Sequence, residues 1–170
     1  METFLAITSR RDERGYRAGP LPSDVVERIL DAGRLAGSAR NRQPWSFVVV
    51  ESPEARAPLA AAVFVPENIH AAGLVVAIAV KGSTTAHFDA GRAAQNMLLA
   101  AWNEGVASCP NALADEAAAR AALGLDDGEV PAIVLSFGIP EKSRAAASRS
   151  AAEWSVRANR RPLSEVVRKV

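Results

Sequence analysis

Cysteine is almost missing from this chain. Cys109 stands alone in 170 residues, so no intrachain disulfide can close, and the only two histidines, His70 and His87, are too far apart for zinc-ligand spacing. No metal site is expected. Aromatic residues make up 5% of the chain and do not interleave with its arginines, and the formal net charge is +1. That balance removes any bulk attraction to nucleic acid or to an anionic membrane. No apolar run is long enough to span a bilayer, and the start, Met1-Glu2 with only Phe4 to Ile7 apolar, is too short and too acidic for a signal peptide. The expectation is a soluble, cytoplasmic protein. A dinucleotide glycine fingerprint is also lacking, as is any histidine close to Cys109 that would activate it as a nucleophile.

What is present is apolar and helix-forming. With 49% hydrophobic residues, the chain can bury roughly 70% of its unfolded surface, and a single domain over residues 1–170 is expected. Residues 2–9 place Phe4, Leu5 and Thr8 on one side of a short helix that runs into Arg10-Arg11-Asp12-Glu13-Arg14. Three arginines within one or two turns can converge on a phosphate through forked hydrogen bonds, each worth about 1.5–3 kcal/mol when desolvated. After a break at residues 15–22, Ser23 reads as an N-cap for a helix with Val25, Val26, Ile29, Leu30, Gly33 and Ala36 at helical spacing. Gly37 ends it and delivers a polar loop, residues 38–43, in which Ser38, Asn41 and Gln43 both donate and accept hydrogen bonds and Arg40 and Arg42 add charge. Such a loop suits a polar, anionic, planar ligand, although a solvated turn would look the same. Pro44 stiffens its exit into a first strand at residues 47–50.

Pro58 predicts a broken helix after Ser52-Pro53, with a short turn followed by residues 59–63. Residues 74–80 form an unbroken apolar run expected to be a central strand covered on both faces. Residues 89–104 predict a helix capped by Asp89, closed by Gly105 and apolar nearly all round, so that one face packs on the sheet and another on a partner subunit. An alanine-rich helix from Asp115 ends at Gly124, and residues 130–137 give a third strand. Residues 141–159 read as surface helix or mobile segment anchored by Trp154, and residues 160–167 as a docking tail with a basic pair.

Taken in order, several stretches together resemble the nitroreductase family of flavin mononucleotide (FMN) enzymes over nearly the whole chain. They are Ser9-Arg10-Arg11-Asp12-Glu13-Arg14; Ser38-Ala39-Arg40-Asn41-Arg42-Gln43-Pro44-Trp45; Asp89-Ala90-Gly91 with Gln95-Asn96-Met97-Leu98-Leu99; and Phe137-Gly138-Ile139-Pro140 with Arg161-Pro162-Leu163. The resemblance implies an α+β fold, a central mixed sheet wrapped by helices, homodimeric, with a flavin at each end of the subunit interface. It implies that Arg10, Arg11 and Arg14, with Arg160 or Arg161, hold the flavin phosphate. It further implies that Ser38, Ala39, Arg40, Asn41 and Gln43 meet the ring and ribityl chain, and that the backbone at Cys109, Pro110 and Asn111 faces the reactive ring nitrogen. The implied reaction is ping-pong electron transfer from NAD(P)H to a nitroaromatic, quinone or similar acceptor. No catalytic side chain is then needed, since the flavin itself carries the electrons.

Two departures qualify the implied chemistry. Asp12 stands where the family usually has a small hydroxyl residue, and a carboxylate about 4 Å from a phosphate costs roughly 4 kcal/mol at intermediate dielectric, so it must pair with an arginine or point away. The segment 81–88 is short, which leaves the substrate side open. Both keep a second reading in view, a non-catalytic flavin-binding or regulatory homodimer. A nucleic-acid module built on residues 10–14 and 157–161 is the remote third.

Overall fold

The computed structural model describes residues 1–82, 84–142 and 145–170. The chain runs through α1 (Thr3–Ser9), β1 (Tyr16–Arg17), α2 (Ser23–Arg34), a 3-10 turn (Ala39–Asn41), β2 (Trp45–Val49), α3 (Pro53–Ala61), α4 (Glu67–His70) and β3 (Leu74–Lys81). It continues through α5 (Thr84–Asn103), β4 (Ala107–Asn111), α6 (Glu116–Leu123), β5 (Glu129–Pro140), a second 3-10 turn (Ala146–Ser148), α7 (Ala151–Arg157) and α8 (Leu163–Val166).

β3 is the strand around which two cores form. Its side chains alternate, so Leu74, Val76, Ile78 and Val80 face α2 and α5 together with Ile29, Ala93 and Met97. Val75 and Ala77 face α3, α4 and α6 with Leu59, Ile69 and Ala119. Both faces are covered, as the apolar run predicts. β2 and β5 flank β3, and β5 also pairs with β4 and, at its end, with β1. The α+β class with a helix-wrapped sheet holds, but among the described residues every pairing is antiparallel rather than mixed. Pro131 sits where the β3–β5 register shifts, a place that does not need its missing N–H.

Three local expectations need correction. α3 is continuous through Pro58, because Pro58 and Glu54, whose carbonyl it would have bonded, are both exposed to water while Leu59 and Ala60 anchor the helix. α5 starts before Asp89, so that residue is not a cap but a buried carboxylate inside the helix. Ser23 makes no side-chain capping bond and is the first helical residue after Pro22.

The termini behave differently from each other. Glu2 caps α1, its carboxylate accepting from Phe4 N and Leu5 N, both at 2.7 Å, and α1 docks on α5 where Trp102 Nε1 donates to Ser9 Oγ at 2.9 Å. α7 carries a capping box from Ser150 to Glu153 and buries Trp154 against α1. Ser143 and Arg144, part of the segment read as surface helix, lie outside the described residues, as does Ser83 in the short 81–88 segment. Beyond α7 the expected docking tail is exposed throughout, with Leu163, Val166 and Val167 facing solvent.

Candidate functional site

The arginine segment lies along β4 because Glu13 N donates to Ser108 O at 3.0 Å. Its three arginines do not converge. Arg11 turns back to the protein, its Nη1 donating to Thr8 O at 2.6 Å and Arg10 O at 2.8 Å and its Nη2 to Trp154 O at 3.1 Å, with the guanidinium 5.6 Å from the Trp154 ring centre. That arrangement pins α7 to the end of α1. Arg10 pairs with Asp12, Nη2 to Oδ1 at 2.7 Å, as the Asp12 departure requires. The pair is close but poorly aligned, so Arg10 Nε and Nη2 are buried without a hydrogen-bond acceptor, as is the hydroxyl of Ser108. Arg14 lines a cleft of about 280 Å³ with Asp12, Glu13, Gly15, Glu141 and Lys142.

β4 is held rigidly under that cleft. Asn111 Nδ2 donates to Cys109 O at 3.1 Å, Val134 O at 3.3 Å and Ser136 Oγ at 3.0 Å, while its Oδ1 accepts from Asn68 Nδ2 at 2.7 Å. The Asn111 side chain is thereby committed to shaping the strand. Tyr16 joins the network, its hydroxyl 2.9 Å from Ser136 Oγ, and burial pushes its phenol well above the usual 10.0. Cys109 is buried and donates to Pro110 O at 3.3 Å. Burial raises its thiol above 9.0 and outweighs the opposing influence of the Arg14 cation, which leaves a protonated, inert sulfur.

The 38–43 loop is built differently, on backbone strain. Arg40, Asn41 and Gln43 hold φ of 53°, 55° and 49°, in the left-handed region that non-glycine residues seldom occupy. Two anchors hold them there. Gln43 N donates to Ser38 Oγ at 2.8 Å, and Ala39 N donates to Asp89 Oδ2 at 3.2 Å. Asp89 is 3% exposed and also faces Arg92 at 3.5 Å. The sequence reading missed this role. A carboxylate within the buried alanine stripe Ala86, Ala90 and Ala93 was the signal that it had a partner. Arg40, Asn41, Arg42 and Gln43 remain exposed, and Arg160 and Arg161 are exposed too and make no ion pair among the described residues.

α5 separates the two halves. Asp89 holds the loop near its start and Trp102 holds Ser9 near its end, about 20 Å further along at 1.5 Å per residue. Within one chain, the arginine segment and the loop therefore sit at opposite ends of one helix. The outer face of α5 between them is exposed, with Phe88, Gly91, Arg92, Gln95 and Asn96 lining a groove of about 460 Å³.

An α+β protein with an antiparallel sheet, a basic N-terminal segment on an edge strand and a strained polar loop before the first long strand is the class that these features define. The nitroreductase family model matches residues 7–73 and 65–139, and the chain belongs to the nitroreductase family. It is similar to an "NADH dehydrogenase" of Thermus thermophilus, 36% identical over 90 residues, a match covering 52% of this chain and 44% of that protein. A "Putative NADH dehydrogenase/NAD(P)H nitroreductase" of Archaeoglobus fulgidus is 28% identical over 84% of this chain and 88% of its own length. Among solved structures, a "putative nitroreductase in complex with FMN" from Desulfovibrio desulfuricans aligns with a TM-score of 0.83 at 26% identity, covering 100% of this chain and 98% of that one. The matched region spans less than half of the Thermus protein. No helix among the described residues is long and apolar enough to cross a membrane.

Proposed function

We propose that this protein is an FMN-dependent oxidoreductase that takes electrons from NAD(P)H and passes them to a nitroaromatic, quinone or similar acceptor, the two reactants using one pocket in turn. It works as a cytoplasmic homodimer of single-domain chains. The observation that carries this reading is Arg10, whose buried Nε and Nη2 lack an acceptor beside the edge strand β4. Orphaned guanidinium donors of that kind fit a phosphate. FMN, when bound, supplies the two-electron chemistry.

The chain's own residues bind and orient it. Arg10 and Arg14, with Arg160 or Arg161, meet the phosphate end. The backbone at Cys109 and Pro110, stiffened by Asn111, lies along the ring. Ser38, Ala39, Arg40, Asn41 and Gln43 contact the ring and ribityl chain from the second copy, because the loop and the arginine segment stand at opposite ends of α5 in one chain. Two copies packed antiparallel across the exposed face of α5 bring each loop to the other's arginines and cover Phe88. Arg11 serves the site indirectly, by holding α7 in place. An inert Cys109 accords with a reaction that needs no side-chain nucleophile.

The test is the visible spectrum of the purified protein followed by anaerobic mixing with NADH or NADPH. A flavin spectrum that bleaches on mixing and recovers with a quinone is the expected result. A bound flavin that stays coloured with both donors would leave the non-catalytic homodimer in its place, a reading to which the Arg10–Asp12 pair lends some weight.

A further inference from the structure

Of the three N-terminal arginines, only Arg10 combines burial with a shortage of acceptors, and the group lying nearest it is a carboxylate of the same segment. Asp12 Oδ1 sits 2.7 Å from Arg10 Nη2. Arg11 cannot substitute for Arg10, since its guanidinium is spent on three carbonyls and the Trp154 ring. Arg14 opens on a cleft where three carboxylates, Asp12, Glu13 and Glu141, outnumber two cations, Arg14 and Lys142. A phosphate arriving at Arg10 therefore meets a guanidinium that already faces a carboxylate, and one arriving at Arg14 meets a cleft with more acidic than basic side chains.

Resting on the flavin-site reading above, we infer that Asp12 is a resident counter-ion that competes with the flavin phosphate for Arg10. The protein consequently holds phosphorylated flavin scarcely better than riboflavin and exchanges it with solution. Binding the phosphate to Arg10 exchanges one ion pair for another, so the Coulombic gain is small, and what the phosphate adds is limited to the hydrogen bonds that the misaligned carboxylate leaves unmade. Asp12 is 42% exposed, so its side chain can turn outward to water, but at that short reach it still repels a phosphate seated on Arg10. The phosphate then steers the flavin's orientation more than it adds to affinity. Flavin on this protein behaves as a dissociable reactant and not as a permanent fixture.

Parallel titrations of the flavin-free full-length protein with FMN and with riboflavin, read by flavin fluorescence, test this. In the native protein the two dissociation constants should differ by less than about threefold. Asp12→Asn, with Asp12→Ser as a second variant, should tighten FMN about tenfold and leave riboflavin unchanged. Adding Arg10→Gln to Asp12→Asn should remove that gain. A native protein preferring FMN by more than about tenfold, or Asp12 variants that move both flavins together, would overturn the counter-ion role while keeping the flavin site. If neither flavin binds the native protein, the functional reading itself falls, and the counter-ion with it.

Discussion

Replacing Asp89 by alanine removes the acceptor of the Ala39 N–H, which holds the 38–43 loop to α5. The lost bond is to a buried carboxylate, and its N–H is left partly buried, so the cost is about 2 kcal/mol. The second partner, Arg92, is 45% exposed and its ion pair adds little to that sum. For a chain of this size the loss lowers Tm by about 5 °C. The functional effect should be larger than the change in stability alone would give. Arg40, Asn41 and Gln43 sit in left-handed geometry that costs each about 1 kcal/mol, and a freed loop relaxes out of it. Flavin affinity should therefore fall by about tenfold or more. Asp89→Asn keeps an oxygen for Ala39 and should lose about half as much on both counts. Thermal unfolding and flavin titration of the same samples read the two effects. An alanine variant that melts early yet binds flavin unchanged would refute the idea that Asp89 positions the loop.

Gly138→Ala places a Cβ 2.6–2.8 Å from three atoms at the root of the Tyr16 side chain, which cannot swing away, and should destabilise by about 2 kcal/mol in guanidinium unfolding. Trp154→Ala empties a buried indole that α1, Arg11 and Ala146 O all contact; about 3 kcal/mol should be lost, and limited proteolysis should cut first beyond residue 140. Burial raises both the Cys109 thiol and the Tyr16 phenol, so the folded state binds their protons more tightly than the unfolded one. Their contribution is fully present below the ordinary values and disappears as pH climbs, so the unfolding midpoint should fall as pH rises past 9.0 for Cys109 and past 10.0 for Tyr16, and Tyr16→Phe should flatten the upper part of that decline. The thiol should resist alkylation at neutral pH until the protein is unfolded.

Where one residue type dictated local geometry, the sequence was readable. Asp115 accepts from Ala118 N at 2.9 Å and Gly124 closes α6 at φ 60°, so both ends of that helix follow from two residues. β3 was legible because seven consecutive apolar residues tolerate nothing but cover on both faces. Pro58 misled because proline forbids a hydrogen bond only where one is needed, and the water exposure of that side of α3 is a tertiary fact. The candidate site was legible as a set of segments and not as a geometry. Nothing in Arg10-Arg11-Asp12-Glu13-Arg14 says that Arg11 faces Trp154, 143 positions later, or that Asp89 reaches Ala39.

β5 joins β3, β4 and β1, and its partner Tyr16 is more than a hundred residues away in sequence. During synthesis the uncharged run Leu-Val-Val-Ala-Ile-Ala-Val of β3 leaves the ribosome with one edge unclaimed, and it waits for about 50 more residues, several seconds at ordinary elongation rates. Over that interval the nascent chain presents a sticky ribbon with no gatekeeper charge before Lys81. Yield in the cell should thus depend on translation speed and on holdase chaperones more steeply than the stability of the finished fold would suggest.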